Sequence, residues 1–93
     1  MSFGPYITLQ PGHYAISWIG SVRGPSHPTF DVFSINRGVI KENAPELVIT
    51  TVQGTLQRLE FSLDRPTDNI EFRTVVGAGD DLSINAVELW KLK

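Results

Sequence analysis

Ninety-three residues, 41% of them hydrophobic and 19% charged, suffice for one globular domain with a thin core and leave little room for a second core. Cysteine is absent, which excludes disulfides and thiolate metal centres, and the net charge of −2, with basic residues scattered from Arg23 to Lys93, offers no positive stripe for nucleic acid. No apolar run approaches the ~20 residues that span a bilayer, and the first five residues have neither the basic nor the apolar region of a signal peptide. The expectation is therefore no nucleic-acid partner and no membrane insertion, in a chain that is either cytoplasmic or excised from a larger protein.

Period-two alternation, interrupted every eight to twelve residues by Gly, Pro, Asn or Asp, predicts an all-β domain of short strands. Tyr6–Leu9 is the first, closed by a turn at Gln10-Pro11-Gly12. His13–Ile19 follows, with Tyr14, Ile16 and Trp18 on one face and Ala15, Ser17 and Ile19 on the other, both faces fairly apolar. Two glycines and two prolines make Gly20–Thr29 a loop. Phe30–Asn36 is a strand ending in an Arg37-Gly38 turn; Val39–Ala44 is weakly patterned, a loop or short edge strand. Leu47–Val52 is β-branched-rich and reads as a strand. Leu56–Leu63 alternates most cleanly, with Leu59, Phe61 and Leu63 inward and Arg58, Glu60 and Ser62 outward. If Asp64–Asn69 closes a hairpin, Leu63 faces Ile70 and Glu60 stands opposite Arg73 in an ion pair. Asn69–Val76, a loop through Gly77–Asp81 and a last strand Leu82–Leu92 complete the chain. In that last strand the inward set shifts from Leu82 and Ile84 to Val87 and Leu89, which implies a bulge near Asn85-Ala86. No window has helical periodicity. About eight strands with even turn spacing predict a small antiparallel β-sandwich, with a closed barrel as the alternative.

Few residues suit catalysis. The two imidazoles, His13 and His27, stand in no nucleophile or metal-ligand spacing, and Glu60 and Glu71 have neighbouring arginines that make surface pairing the simpler account. Gly77-Ala78-Gly79 leads into a strand, so no helix N-terminus is available for phosphate. Asp80, Asp81 and Glu88 are hard oxygen ligands beside loop carbonyls, which suit a structural calcium on Asp80 and Asp81 better than a transition metal, although they lack the fixed offsets of a calcium-binding loop. No other cofactor is expected.

Sugar recognition requires an aromatic face with hydrogen-bonding side chains around it. Tyr6, Tyr14, Trp18 and Trp90 combine an aromatic body with a polar atom, which favours half-buried positions. Trp18 precedes the expected loop carrying Arg23 and His27, and Glu71 and Arg73 point outward from a well-formed strand. Trp18, Arg23, His27, Glu71 and Arg73 are thus the candidate ligand-binding residues.

The opening Phe3-Gly4-Pro5-Tyr6-Ile7-Thr8-Leu9-Gln10-Pro11-Gly12-His13-Tyr14 resembles that of small jelly-roll domains in bacterial glycosyltransferases and related polysaccharide-processing proteins. Ile70-Glu71-Phe72-Arg73 and Asp81–Leu89 are similar to the late strands of those domains and of carbohydrate-binding modules generally. Module endings of that kind often carry an acidic residue where this chain has Asn85. The resemblance implies a galactose-binding-like jelly roll, lectin-like and non-catalytic, that binds a glycan or oligosaccharide or accompanies an enzyme acting on one. The alternative is a structural β-sandwich that docks a partner through an apolar sheet face, as a homo-oligomer or within a larger parent chain.

Overall fold

A computed structural model describes residues 2–43, 47–50, 52–77 and 79–92, with residues 2–6 and 52 described by backbone alone. Tyr6 as an aromatic side chain, Ala44 and Thr51 therefore lie outside the described residues. Seven strands form two antiparallel sheets, and no helix occurs among the described residues. They are β1 (Ser2–Leu9), β2 (Gly12–Arg23), β3 (Thr29–Ser34), β4 (Gly38–Glu42), β5 (Val52–Leu63), β6 (Thr67–Val75) and β7 (Asp81–Lys91). One sheet has the order β1-β6-β3-β4 and the other β5-β2-β7. The domain is a small β-sandwich.

The core lies between the sheets because alternation turns one side of each strand inward. From β2 come Tyr14, Ile16, Trp18 and Val22; from β5 Leu56, Leu59, Phe61 and Leu63; from β3 and β6 Phe30, Val32, Ile70 and Phe72, all buried. Trp18 leans on Phe30 with ring centroids 5.0 Å apart, and Tyr14 stacks on Phe61 at 5.4 Å. Such pairs contribute about 0.5–1.5 kcal/mol beyond the area they bury. Asn43 closes the open end of the β3–β4 hairpin as a backbone substitute, its Oδ1 accepting from the Phe30 amide and its Nδ2 donating to the Pro28 carbonyl at 3.4 Å.

Three expectations are corrected. Leu47–Val52 is not a separate strand: residues 47–50 make a single bridge, Ser26 to Ile49, and Val52 begins β5. Ile49 meets its hydrophobic requirement by plugging the end of the core, while Val48 is exposed. This leaves seven strands instead of about eight. The expected loop from Gly20 to Thr29 is shorter, because β2 runs on to Arg23. Asp64–Asn69 closes no hairpin: β5 and β6 belong to different sheets, so Leu63 and Ile70 enter the core from opposite sides. Glu60 accordingly faces Ala15, and Arg73 faces Asp31. The weakly patterned segment after Gly38 is an edge strand, β4.

The bulge expected near Asn85 is present. Ile19 faces Ala86 and Gly20 faces Ile84, which leaves Asn85 as the extra residue. β5 carries a second bulge at the same level, where Trp18 faces Gln57 and Ile19 faces Thr55, with Leu56 extra. The bulged β7 backbone presses on β2 at Gly20. A Cβ built there would overlap the Ser83 carbonyl oxygen and stand 2.9 Å from the carbonyl carbon. Glycine is required at that position by proximity of backbone. Gly20→Ala should therefore lower the unfolding free energy by about 1–3 kcal/mol or more in urea melts, whereas Ser21→Ala should stay within about 0.5 kcal/mol.

Candidate functional site

The outer face of the β5-β2-β7 sheet collects the exposed aromatic and charged side chains into rows. Register places Glu60, Ala15 and Trp90 side by side, then Arg58, Ser17 and Glu88, then Thr55, Ile19 and Ala86. Beyond the first of these rows Ser62 Oγ and His13 Nδ1 are hydrogen-bonded at 2.6 Å. The last row at the other end pairs Arg23 with Asp81.

Ala15 and Ser17 point away from the core, yet are 0% and 3% exposed. Their small side chains sit low on the central strand, flanked by the larger groups on β5 and β7. The result is a floor of two small residues between a charged wall, Arg58 and Glu60, and a wall of Trp90 and Glu88. Arg58 Nη1 lies 2.7 Å from Glu60 Oε2, so that pair is neutral as a unit. Trp90 keeps 45% of its surface exposed. Glu88 is exposed and makes no hydrogen bond or ion pair to any other described residue. An exposed indole beside an open carboxylate can take an apolar ring face and a hydroxyl donor from one ligand.

The sequence candidates do not converge. Trp18 is fully buried, and its Nε1 finds no hydrogen-bond partner. It has no surface on which a sugar could stack, so its candidacy as a platform is corrected: it occupies the central strand's inward row, where packing against Phe30 outweighs the unmet N–H. Arg23 lies on the outer face, at the end far from Trp90. His27 is in the loop after β2, its amide donating to Asp80 Oδ1 at 3.3 Å. Glu71 and Arg73 are on β6, in the other sheet, and so belong to the opposite outer face.

The candidate calcium ligands are Asp80, just before β7, and Asp81, its first residue. Asp80 directs both carboxylate oxygens at backbone, with Oδ2 accepting from Gly77 N at 2.8 Å, and so ties two loops together. Asp81 faces Arg23, and Glu88 lies seven residues along the strand, about 23 Å away at the usual rise. No cluster of three or more His, Asp or Glu suited to a metal ion exists among the described residues.

Arg73 has a structural role that its sequence neighbours did not disclose. Its Nε and Nη2 donate to Asp31 Oδ1 and Oδ2 at 2.8 and 2.7 Å, and its guanidinium lies 3.8 Å from the Phe33 ring centre. The hydrogen bond to Asp31 raises the Arg73 pKa, burial opposes it, and the charges of Asp31 and Glu71 add to it. The arginine therefore stays charged at any pH the fold tolerates. Asp31 is a buried residue, and its partner could not be read from the sequence because β3 and β6 are distant along the chain.

No protein-family model, curated protein or solved structure matches this chain.

Two measurements check this placement. Emission from Trp90→Phe, which retains only Trp18, should be blue-shifted and shielded from acrylamide, while Trp18→Phe should leave an accessible, red-shifted Trp90. Arg73→Met, which strands a buried carboxylate, should cost about 3–5 kcal/mol in denaturant melts, and adding Asp31→Asn should return part of that loss.

Proposed function

We propose that this domain is a non-catalytic glycan-binding module, an accessory domain in a polysaccharide-processing context, whose ligand lies along the outer face of the β5-β2-β7 sheet. The observation carrying this reading is the exposed Trp90 indole beside the buried, small-residue floor of Ala15 and Ser17, with Glu88, Arg58 and Glu60 around it. An apolar platform ringed by groups that exchange hydrogen bonds with hydroxyls suits a pyranose, which has one C–H face and a polar rim. The connectivity agrees with the resemblance: β1, β2, β3, β5, β6 and β7 alternate between the two sheets, and this alternation supports the jelly-roll reading.

A binding role is favoured over hydrolysis by the site's openness. The Ser62–His13 pair is exposed, and among the described residues no carboxylate is hydrogen-bonded to the imidazole. Among the described residues such a pair lacks the orienting acid that a nucleophilic serine needs.

A second reading rests on Trp90 and Leu92, 45% and 43% exposed at the end of edge strand β7, which would equally suit docking of a protein partner or a second copy. Sedimentation separates the two: a strict monomer at high concentration removes self-association.

Glycan-array screening followed by calorimetry tests the leading proposal. Trp90→Ala should weaken binding at least about tenfold while changing stability by less than about 1 kcal/mol. Absence of binding across a broad panel at millimolar sugar would overturn it.

A further inference from the structure

Building on that reading, we propose that the Trp90 face selects neutral oligosaccharides and rejects uronate- or sulfate-bearing ones, with the Glu88 carboxylate as the selecting group. Of the three charged side chains on the outward rows of Trp90 and Ser17, Arg58 and Glu60 compensate each other at 2.7 Å. Glu88 has no such partner among the described residues. It stands two residues from Trp90 on the same strand and outward row, about 7 Å away at the usual rise. With Lys91 turned to the Tyr14 side of the strand, the charge that the outward rows offer to a ring stacked on the indole is negative.

An ionised carboxylate only accepts hydrogen bonds, and it has two oxygens to do so. Adjacent hydroxyls on a pyranose rim supply two donors at matching separation. A carboxylate or sulfate at the same place on the ligand supplies none, and its charge opposes that of Glu88 in a contact from which water is partly excluded. Arg58 would be the natural partner for an acidic sugar, but Glu60 already holds it and the Ser17 column separates it from Glu88. The far end of the face gives no net attraction either, since Arg23 is balanced in register by Asp81.

Calorimetry on the intact domain, with Glu88→Gln, Glu88→Lys and Trp90→Ala, is the test. The probes are neutral hexose oligosaccharides, uronate oligosaccharides of matched linkage and length, and glucosamine oligomers. The wild type should bind neutral chains about tenfold or more tightly than their uronate counterparts, and that gap should shrink as salt is raised. Glu88→Gln should lose roughly tenfold for neutral chains and erase the preference, because an amide accepts on one side only; Glu88→Lys should invert it. Equal binding of uronates by the wild type, or a preference unchanged in Glu88→Gln, overturns the selection by Glu88. Tighter binding of glucosamine oligomers than of neutral chains also overturns it, in favour of a cationic ligand. If chains bind through Trp90 without charge preference, only the selectivity falls. If no oligosaccharide of any charge binds, the glycan-binding reading falls with it.

Discussion

The fold turns on one strand. β2 is the central strand of its sheet, paired with β5 from Gly12 to Val22 and with β7 from Tyr14 to Arg23, so its backbone must accept a neighbour on each side along most of its length. The tightest point is Gly20, where the bulged backbone of β7 occupies the volume a side chain would need. That approach sets the register of β7, and the register decides which residues flank Ala15 and Ser17. Inward, the same strand supplies Trp18, Ile16 and Tyr14 to the core; outward, it supplies the floor of the candidate site. A slip of one residue would exchange these faces and expose the core set.

What the sequence discloses follows from this geometry. Alternation located the inward rows of β2, β5, β6 and β7 because each strand buries one face against the opposite sheet. The parity change between Ile84 and Val87 disclosed the β7 bulge, since hydrophobic residues mark it on both sides. The matching bulge at Leu56 was hidden. Leu56 is itself apolar and buried, and Gly54 beyond it carries no side chain to record the shift. Sheet membership was not legible either, because a short turn such as Asp64–Thr67 serves a hairpin or a crossing between sheets equally well. The Asp31–Arg73 pair and the role of Asn43 depend on that membership and were out of reach for the same reason. Trp18 and Trp90 differ in the same way: as residue types they are identical, and only a place in the inward row of a central strand or the outer row of an edge strand separates core filler from platform.

The bulges also affect how the domain meets other proteins. β5 and β7 are long edge strands, twelve and eleven residues, and long regular edges invite pairing with another chain. Each is broken near its middle by an extra residue, which twists the edge and interrupts the row of free amides and carbonyls. Edge-to-edge pairing is thereby disfavoured in the sheet that carries the candidate site.

The two outer faces are built differently, and that contrast is the strongest reason to look for a ligand on one of them. On the β1-β6-β3-β4 side, the charged centre is internally complete: Asp31 is buried, Arg73 grips both its oxygens and lies over Phe33, and Glu71 adds to the field that holds the arginine charged. An incoming ligand there would have to break a bidentate ion pair to gain one of its own, a poor exchange. On the β5-β2-β7 side, Arg58 and Glu60 satisfy each other at the surface, but the indole and the carboxylate next to it are left open. Burial of Ala15 and Ser17 keeps that pair level with a firm floor, so a ligand would meet a surface already ordered and the cost of arranging side chains on binding would be small. The outer face of the first sheet is centred on a closed ion pair, whereas that of the second leaves the Trp90 indole and the Glu88 carboxylate side by side and open.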